Sequence, residues 1–499
     1  MWTRTALALA LLPAPLAAQD PLSVIEWLGE HPPGASVPVH MEPPVADNAE
    51  LPAIEVSELG AAATPVGLVP HDVTGLPLDL WTGSDVDDLA RLIADVPVSR
   101  SPAMQTLLYT LLLGDSLPPE GKADAQTLLL ARIDRLLTLG ATDPAQALAR
   151  QVGPTQSAAL FHRWFDATLL TGDEDSGCAE LTRAPHLAPG YATRIFCDAR
   201  QGDWQTAALT LETAHALQLL PADKLDLLDR FLSPDVFEDA PPLSPPADPD
   251  PLTFRLFEAI GERLPTASLP RAFATADLRD IAGWKAQIEA AERLTRIGAL
   301  APNHLLGLYT AQRPSASGSL WDRVGELQAF DRALQARDPD AVARTLPRAW
   351  RAMTEANLAV PFAQLFGDDL AQVTPSDPDT IELAWRIRLL SSAYRDAGAD
   401  LPRETAENRF LSALASGDVT AVAPPGDTAA AIADAFAPPA PAPGRASYGE
   451  SLLTAIRDFD SGIDGNVANL TKALATLRAL GLEESARQAS LQLMLLGGR

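Results

Sequence analysis

The chain of 499 residues carries 38 Lys+Arg against 65 Asp+Glu, a formal net charge of −27, and is 47% hydrophobic. That acidic excess argues against nucleic acid or an anionic membrane surface as the main partner, while the apolar fraction is that of a folded protein. Two cysteines exclude a disulfide framework and a cysteine-rich metal centre, and the length suits about two to four domains.

Residues 1–18, MWTRTALALALLPAPLAA, set Arg4 before an apolar core, Ala6 to Leu16, that contains Pro13 and Pro15 and ends in small residues. This is the layout of a cleavable secretory signal. A membrane-spanning helix needs about 20 apolar residues, and no later stretch supplies them. The sequence therefore predicts export to the bacterial periplasm without membrane insertion. In residues 19–30, Ser23 and Glu26 form a capping box, and Val24, Trp27 and Leu28 share one helical face. A short apolar helix of this kind suits docking into a groove on another protein; packing on the chain's own body is the alternative. Residues 31–70 hold Pro32, Pro33, Pro38, Pro43, Pro44, Pro52 and Pro65 without periodicity, and are expected to be a disordered tether.

Beyond this point the pattern is helical. The expected layout is a helical-repeat region at 71–238, a proline-rich loop at 239–251 and a second helical region at 252–422. A Pro/Ala-rich linker at 423–446 and a C-terminal helical hairpin at 447–499 complete it. Leu89, Leu92, Ile93 and Val96 recur at helical spacing, as do Leu129, Ile133, Leu136 and Leu137, and later Leu470, Leu474 and Leu477. Ser101-Pro102, Asp143-Pro144, Asp338-Pro339 and Asp377-Pro378 each set a capping side chain before a proline suited to the first helical position. Gly140, Gly202, Gly298, Gly417 and Gly481 follow apolar faces as helix stops. Strand-like alternation is missing, so the predicted class is all-α.

Several helices come as pairs joined by tight turns. In the clearest, a helix ending at Ala199-Arg200-Gln201 meets Gly202-Asp203-Trp204 and resumes through Ala207, Leu211 and Ala214. With Tyr191 as the first-helix aromatic and Pro221 near the close, these residues, about 30 of the chain, resemble a tetratricopeptide repeat. Ile195 stands where that family has a small residue. The five glycine stops are unevenly spaced, whereas a repeat array has a fixed period. The resemblance implies an irregular helical-hairpin solenoid, TPR-like, whose business is binding.

Little in the chain points to chemistry. Cys178 and Cys197, on adjacent predicted helices, are expected to pair in an oxidising compartment. Asp458, Asp460 and Asp464, followed by Gly465, echo part of an EF-hand calcium loop, but Gly462 and Thr471 replace two of its ligands; a polar inter-helix turn is the alternative. The cluster Asp173-Glu174-Asp175 reads as a solvated turn. His31, His40, His71, His162, His186, His215 and His304 form no H-x-x-x-H pair, and hydrolase, zincin and nucleotide-loop motifs are missing. No catalytic residue, cofactor or metal is assigned. The expectation is a periplasmic interaction scaffold for a protein with a basic surface. An accessory factor of an envelope machine for cell-wall synthesis or motility, or an α-solenoid enzyme acting on envelope glycans, are the alternatives.

Overall fold

The computed structural model describes residues 64–119, 121–279, 281–437 and 448–497. The expected signal peptide, the Val24–Leu28 face and residues 31–63 of the tether lie outside them, as do residues 438–446 of the expected linker. Among the described residues there are 24 α-helices and no strand, as an all-α, solenoid-like chain requires.

The helices fall into three runs. The first is α1 (His71–Thr74), α2 (Val86–Asp95), α3 (Pro102–Leu113), α4 (Gly121–Leu139), α5 (Thr142–Val152), α6 (Ala158–Thr171), α7 (Glu174–Arg183), α8 (Tyr191–Arg200), α9 (Trp204–Ala216), α10 (Ala222–Leu232), α11 (Pro251–Ala259) and α12 (Ala274–Asp277). Next come α13 (Trp284–Thr295), α14 (Pro302–Thr310), α15 (Ser319–Gln335), α16 (Pro339–Glu355), α17 (Ala359–Leu370) and α18 (Pro378–Arg388). The last are α19 (Tyr394–Ala399), α20 (Ala406–Ser416), α21 (Asp427–Phe436), α22 (Tyr448–Ile463), α23 (Val467–Ala479) and α24 (Glu483–Leu496).

The local signals act as their chemistry dictates. Ser101, Asp338 and Asp377 cap α3, α16 and α18 through their side-chain oxygens. Asp143 does not cap, because α5 already begins at Thr142 and places Asp143 in its first turn. All five glycine stops take positive φ, between 73° and 120°, a region that costs a residue with a Cβ. The apolar stripes point inward: Leu89, Ile93, Leu129, Ile133, Leu136, Leu470, Leu474 and Leu477 are buried.

Two cores result. One runs through α13 to α18 around Tyr309, Phe330, Phe362 and Phe366. The larger joins the first run of helices to the last. There α24 packs on α3, and α22 packs on both α2 and α3. Gln492 Oε1 accepts the Ala103 N–H at 2.9 Å. The Arg100 guanidinium grips the Asp460 carboxylate at 2.7 Å and also pairs with Asp464. The solenoid is thus closed, first helices on last, rather than left with two free ends.

Three expected boundaries shift. The expected linker contains α21, an alanine-rich helix with Ala429, Ala431, Ile432 and Ala435 buried against α23 and α24. Alanine is the best helix former, and here it also permits close packing. The expected C-terminal hairpin is three helices, α22 to α24. At the other end, the described residues reach into the expected tether and are packed there: Val66 bridges Ser116, Val69 bridges Gly114, and Val69 is fully buried. Arg132 secures that crossing. Its guanidinium, fully buried and with its pKa lowered to about 10 by desolvation, donates to the Leu112, Gly114 and Val66 carbonyls at 2.7–2.8 Å. Residues 239–250 are non-helical as expected, but anchored: Arg230 donates to the Pro241 carbonyl, and Glu262 accepts the Leu243 N–H.

Candidate functional site

The segment resembling a tetratricopeptide unit folds as α8, a tight turn and α9. Gly202 supplies the left-handed turn residue, and Asp203 accepts the Thr206 N–H to start α9. Cys178 of α7 and Cys197 of α8 form a disulfide, with Cα atoms 5.0 Å apart and both side chains buried. Beside it the Gln201 side chain donates to the Cys178 carbonyl at 2.7 Å and accepts from Thr182 at 2.9 Å. Phe196 of α8 stacks on Phe231 of α10 with centroids 5.6 Å apart. These contacts fix α7, α8 and α10 as a platform.

Helix α9 rides on that platform through Ala207, Leu211 and Ala214, its only buried residues. The opposite side is apolar too. Of nine large hydrophobic side chains exposed among the described residues, six lie between 191 and 236: Tyr191, Trp204, Leu209, Leu217, Leu219 and Val236. Trp204 is 53% exposed and Leu209 68%. Single exposed hydrophobics are ordinary, but their concentration in one stretch of the chain is not. Residues 201–240 also carry eight carboxylates against Lys224 and Arg230. Burial, and then the neighbouring Asp203, raise the Asp198 carboxyl above its ordinary value. The stretch thus combines exposed apolar side chains with an excess of carboxylates. Sequence reasoning found the α8–α9 turn but passed over this face; its signal was the run Ala207-Ala208-Leu209-Thr210-Leu211, apolar on both sides of the helix.

The calcium candidates are not gathered into a loop. Asp458 and Asp460 lie within α22, and the turn holds only Asp464, Gly465 and Asn466, the last of which caps α23. Asp458 faces the Lys472 ammonium at 2.8 Å, while Asp460 and Asp464 hold Arg100, which keeps the Asp464 carboxyl below its ordinary value. Among the described residues no group of three or more His, Cys, Asp or Glu side chains could hold a metal ion. Glu174, expected in a solvated turn, is buried instead at the start of α7. It lies 2.6 Å from Arg255 and 3.4 Å from Arg200, and the network continues through Glu258 to Arg279 at 2.7 Å. Every charge there has a partner of opposite sign, which is the arrangement of a structural ion network. The docking candidates Val24, Trp27 and Leu28 lie outside the described residues.

No protein-family model matches the chain, and no curated protein or solved structure is significantly similar to it.

Proposed function

We propose that this protein is an exported scaffold that holds a protein partner on the outer face of α8, α9 and α10, and that it works by binding rather than catalysis. The partner suited to this face is a basic amphipathic helix. Its apolar stripe would cover Leu209 and Leu217, and its Lys or Arg residues would meet the nearby carboxylates. The observation that carries the reading is the gathering of six of the nine exposed large hydrophobics on one acidic stretch. Export is supported by the signal-like leader, by a disulfide of the kind that persists in oxidising compartments, and by the finding that no described helix is long and apolar enough to cross a membrane.

The binding test uses a fluorescent peptide with Leu and Lys at helical spacing, and a matched peptide with Glu replacing Lys. The Lys peptide should bind the full chain, and more weakly as salt rises. Leu209→Asp with Leu217→Asp should abolish binding without changing the melting temperature. Equal binding of the Glu peptide, or full binding by the double variant, would refute the assignment of this face. For export, mass spectrometry of protein from its native host should find the N-terminus at Gln19 or Asp20; an intact Met1 would overturn the compartment.

A further inference from the structure

A cavity of about 190 Å³ opens where the closed ends of the chain meet its middle. Its wall is assembled from distant segments: Arg100 before α3, Arg296 after α13, Asn357 in the turn before α17, Phe459 of α22 and Leu493 of α24. A smaller lobe of about 50 Å³ shares Pro102, Arg296, Asn357 and Val360 and reaches Tyr109 and Thr295. Neither wall includes an aspartate or glutamate, although such residues number 65 in the chain. The wall itself carries no carboxylate, although Glu292 stands behind it on Arg296, and Asp460 and Asp464 on Arg100.

The wall also offers hydrogen-bond donors. Helix α17 starts here with no side-chain cap on its N-terminus. Pro361 has no N–H and the Phe362 N–H is bonded to the Leu358 carbonyl, so its donors are the N–H groups of Ala359 and Val360, residues 5% and 4% exposed. First-turn N–H groups have no acceptor within their own helix and sit at the positive end of its dipole. Arg296 lies beside them, with Nε held by the Ala356 carbonyl and Nη2 by Glu292 at 2.5 Å. Arg100 is already committed to Asp460 and Asp464. Independently, the Tyr109 hydroxyl and the Thr295 hydroxyl, on residues 2% and 3% exposed, have no hydrogen-bond partner within the protein. Burial pushes the Tyr109 phenol above its ordinary value, so it stays a donor. Buried hydroxyls are costly without a partner, and a bound acceptor group would supply one. The larger lobe also has an apolar side, formed by Val360, Phe459, Ile463, Leu493 and Leu496, beside the polar Ser99, Thr354 and Gln492.

We infer that this cavity binds a small aliphatic carboxylate. Its head sits at the α17 N-terminus beside Arg296, and its tail lies along Phe459, Ile463 and Leu493. The site involves none of the residues of the α8–α10 face, so it stands or falls separately from the partner-binding reading.

The test is calorimetric titration and thermal unfolding of the full chain with hexanoate, hexylammonium and 1-hexanol as probes. Hexanoate should bind at one site and raise the melting temperature, whereas the cation and the alcohol should do neither. With valine amides labelled in ¹⁵N, the Val360 resonance should move on hexanoate addition. Leu493→Trp should fill the tail space and remove binding. Arg296→Gln should weaken it at least tenfold. Because Arg296 also holds Glu292 and Ala356, Val360→Glu provides a second arm: its own carboxylate would occupy the helix terminus, keeping stability while abolishing binding. Absence of hexanoate binding to the wild type, equal binding of hexanol, or unchanged binding by Leu493→Trp or Val360→Glu would overturn the assignment.

Discussion

Reduction of the Cys178–Cys197 disulfide should loosen one part of the molecule by an amount that follows from chain statistics. The bridge closes a loop with a sequence separation of 19, and the loop-entropy model gives about 3 kcal/mol for its effect on the opened state. The contacts beside it do not depend on the bond: Gln201 still spans Cys178 and Thr182, and Phe196 still stacks on Phe231. The reduced native state should therefore keep its shape, with the change lying in the opened state. A chain of this size with two cores is not a two-state system, so a single global midpoint is the wrong observable. Native-state hydrogen exchange reads the local opening instead. On reduction, protected amides of α7 and α8 should exchange about a hundredfold faster, which is the equivalent of about 3 kcal/mol. Amides of α15 and α16, in the other core, serve as the control and should be unchanged. Equal acceleration in both cores, or none in α7 and α8, would refute the reasoning. So would thiol labelling of the unreduced protein.

Asp166 gives a pH dependence with a definite sign. Burial, and then the nearby Asp250, push its carboxyl from an ordinary 3.8 up to about 7. The folded protein thus keeps a proton that the unfolded chain releases between about pH 4 and pH 7, and this group's contribution to stability falls as pH rises through that window and is level above it. Asp166→Asn should match the wild type near pH 4 and exceed it by about 2–4 kcal/mol at pH 8, measured by thermal melts across the range; a constant difference would count against it. Gly449 sits against Trp81, where an added Cβ would lie 2.3 Å from the indole and 3.0 Å from the Leu80 carbonyl. Gly449→Ala should cost about 1–3 kcal/mol and red-shift tryptophan emission, whereas Gly325→Ala, in open space within α15, should gain about 0.5–1 kcal/mol. Glu174→Gln should destabilise by about 1–3 kcal/mol by leaving Arg255 under-compensated, and Arg255→Met in the same chain should restore part of the loss in a double-mutant cycle.

What could be read from the sequence was what depends on neighbouring residues. Ser101-Pro102, Asp338-Pro339 and Asp377-Pro378 announce helix starts because a cap acts within three residues of itself. The glycine stops at 140, 202, 298, 417 and 481 are legible for the same reason. The cysteine pairing was legible because only two cysteines exist. Misreadings arose where composition was allowed to stand for structure. Ala429, Ala431 and Ala435 lie between proline clusters and looked like linker, yet helix propensity and burial outweighed the flanking prolines. Glu174 looked solvated between Asp173 and Asp175, but its partners Arg255 and Arg200 come from other helices, and nothing local announces them. The end closure and the cavity it creates were likewise out of reach, since Arg100 meets Asp460 across 360 residues.

That closure bears on how the molecule is made. Ala103 near the start of α3 waits for Gln492, 389 residues downstream, so the large core can be completed only when the last helices exist. Bringing such distant segments together is entropically expensive and slow. A partly synthesised chain therefore keeps α2 and α3 without their covering helices until α22 to α24 follow, whereas the buried residues of the α13 to α18 core all precede those helices. The late closure acts as a completeness check: a product that stops short of α22 leaves Trp81 and the inner face of α3 uncovered, and presents itself to proteases as unfinished.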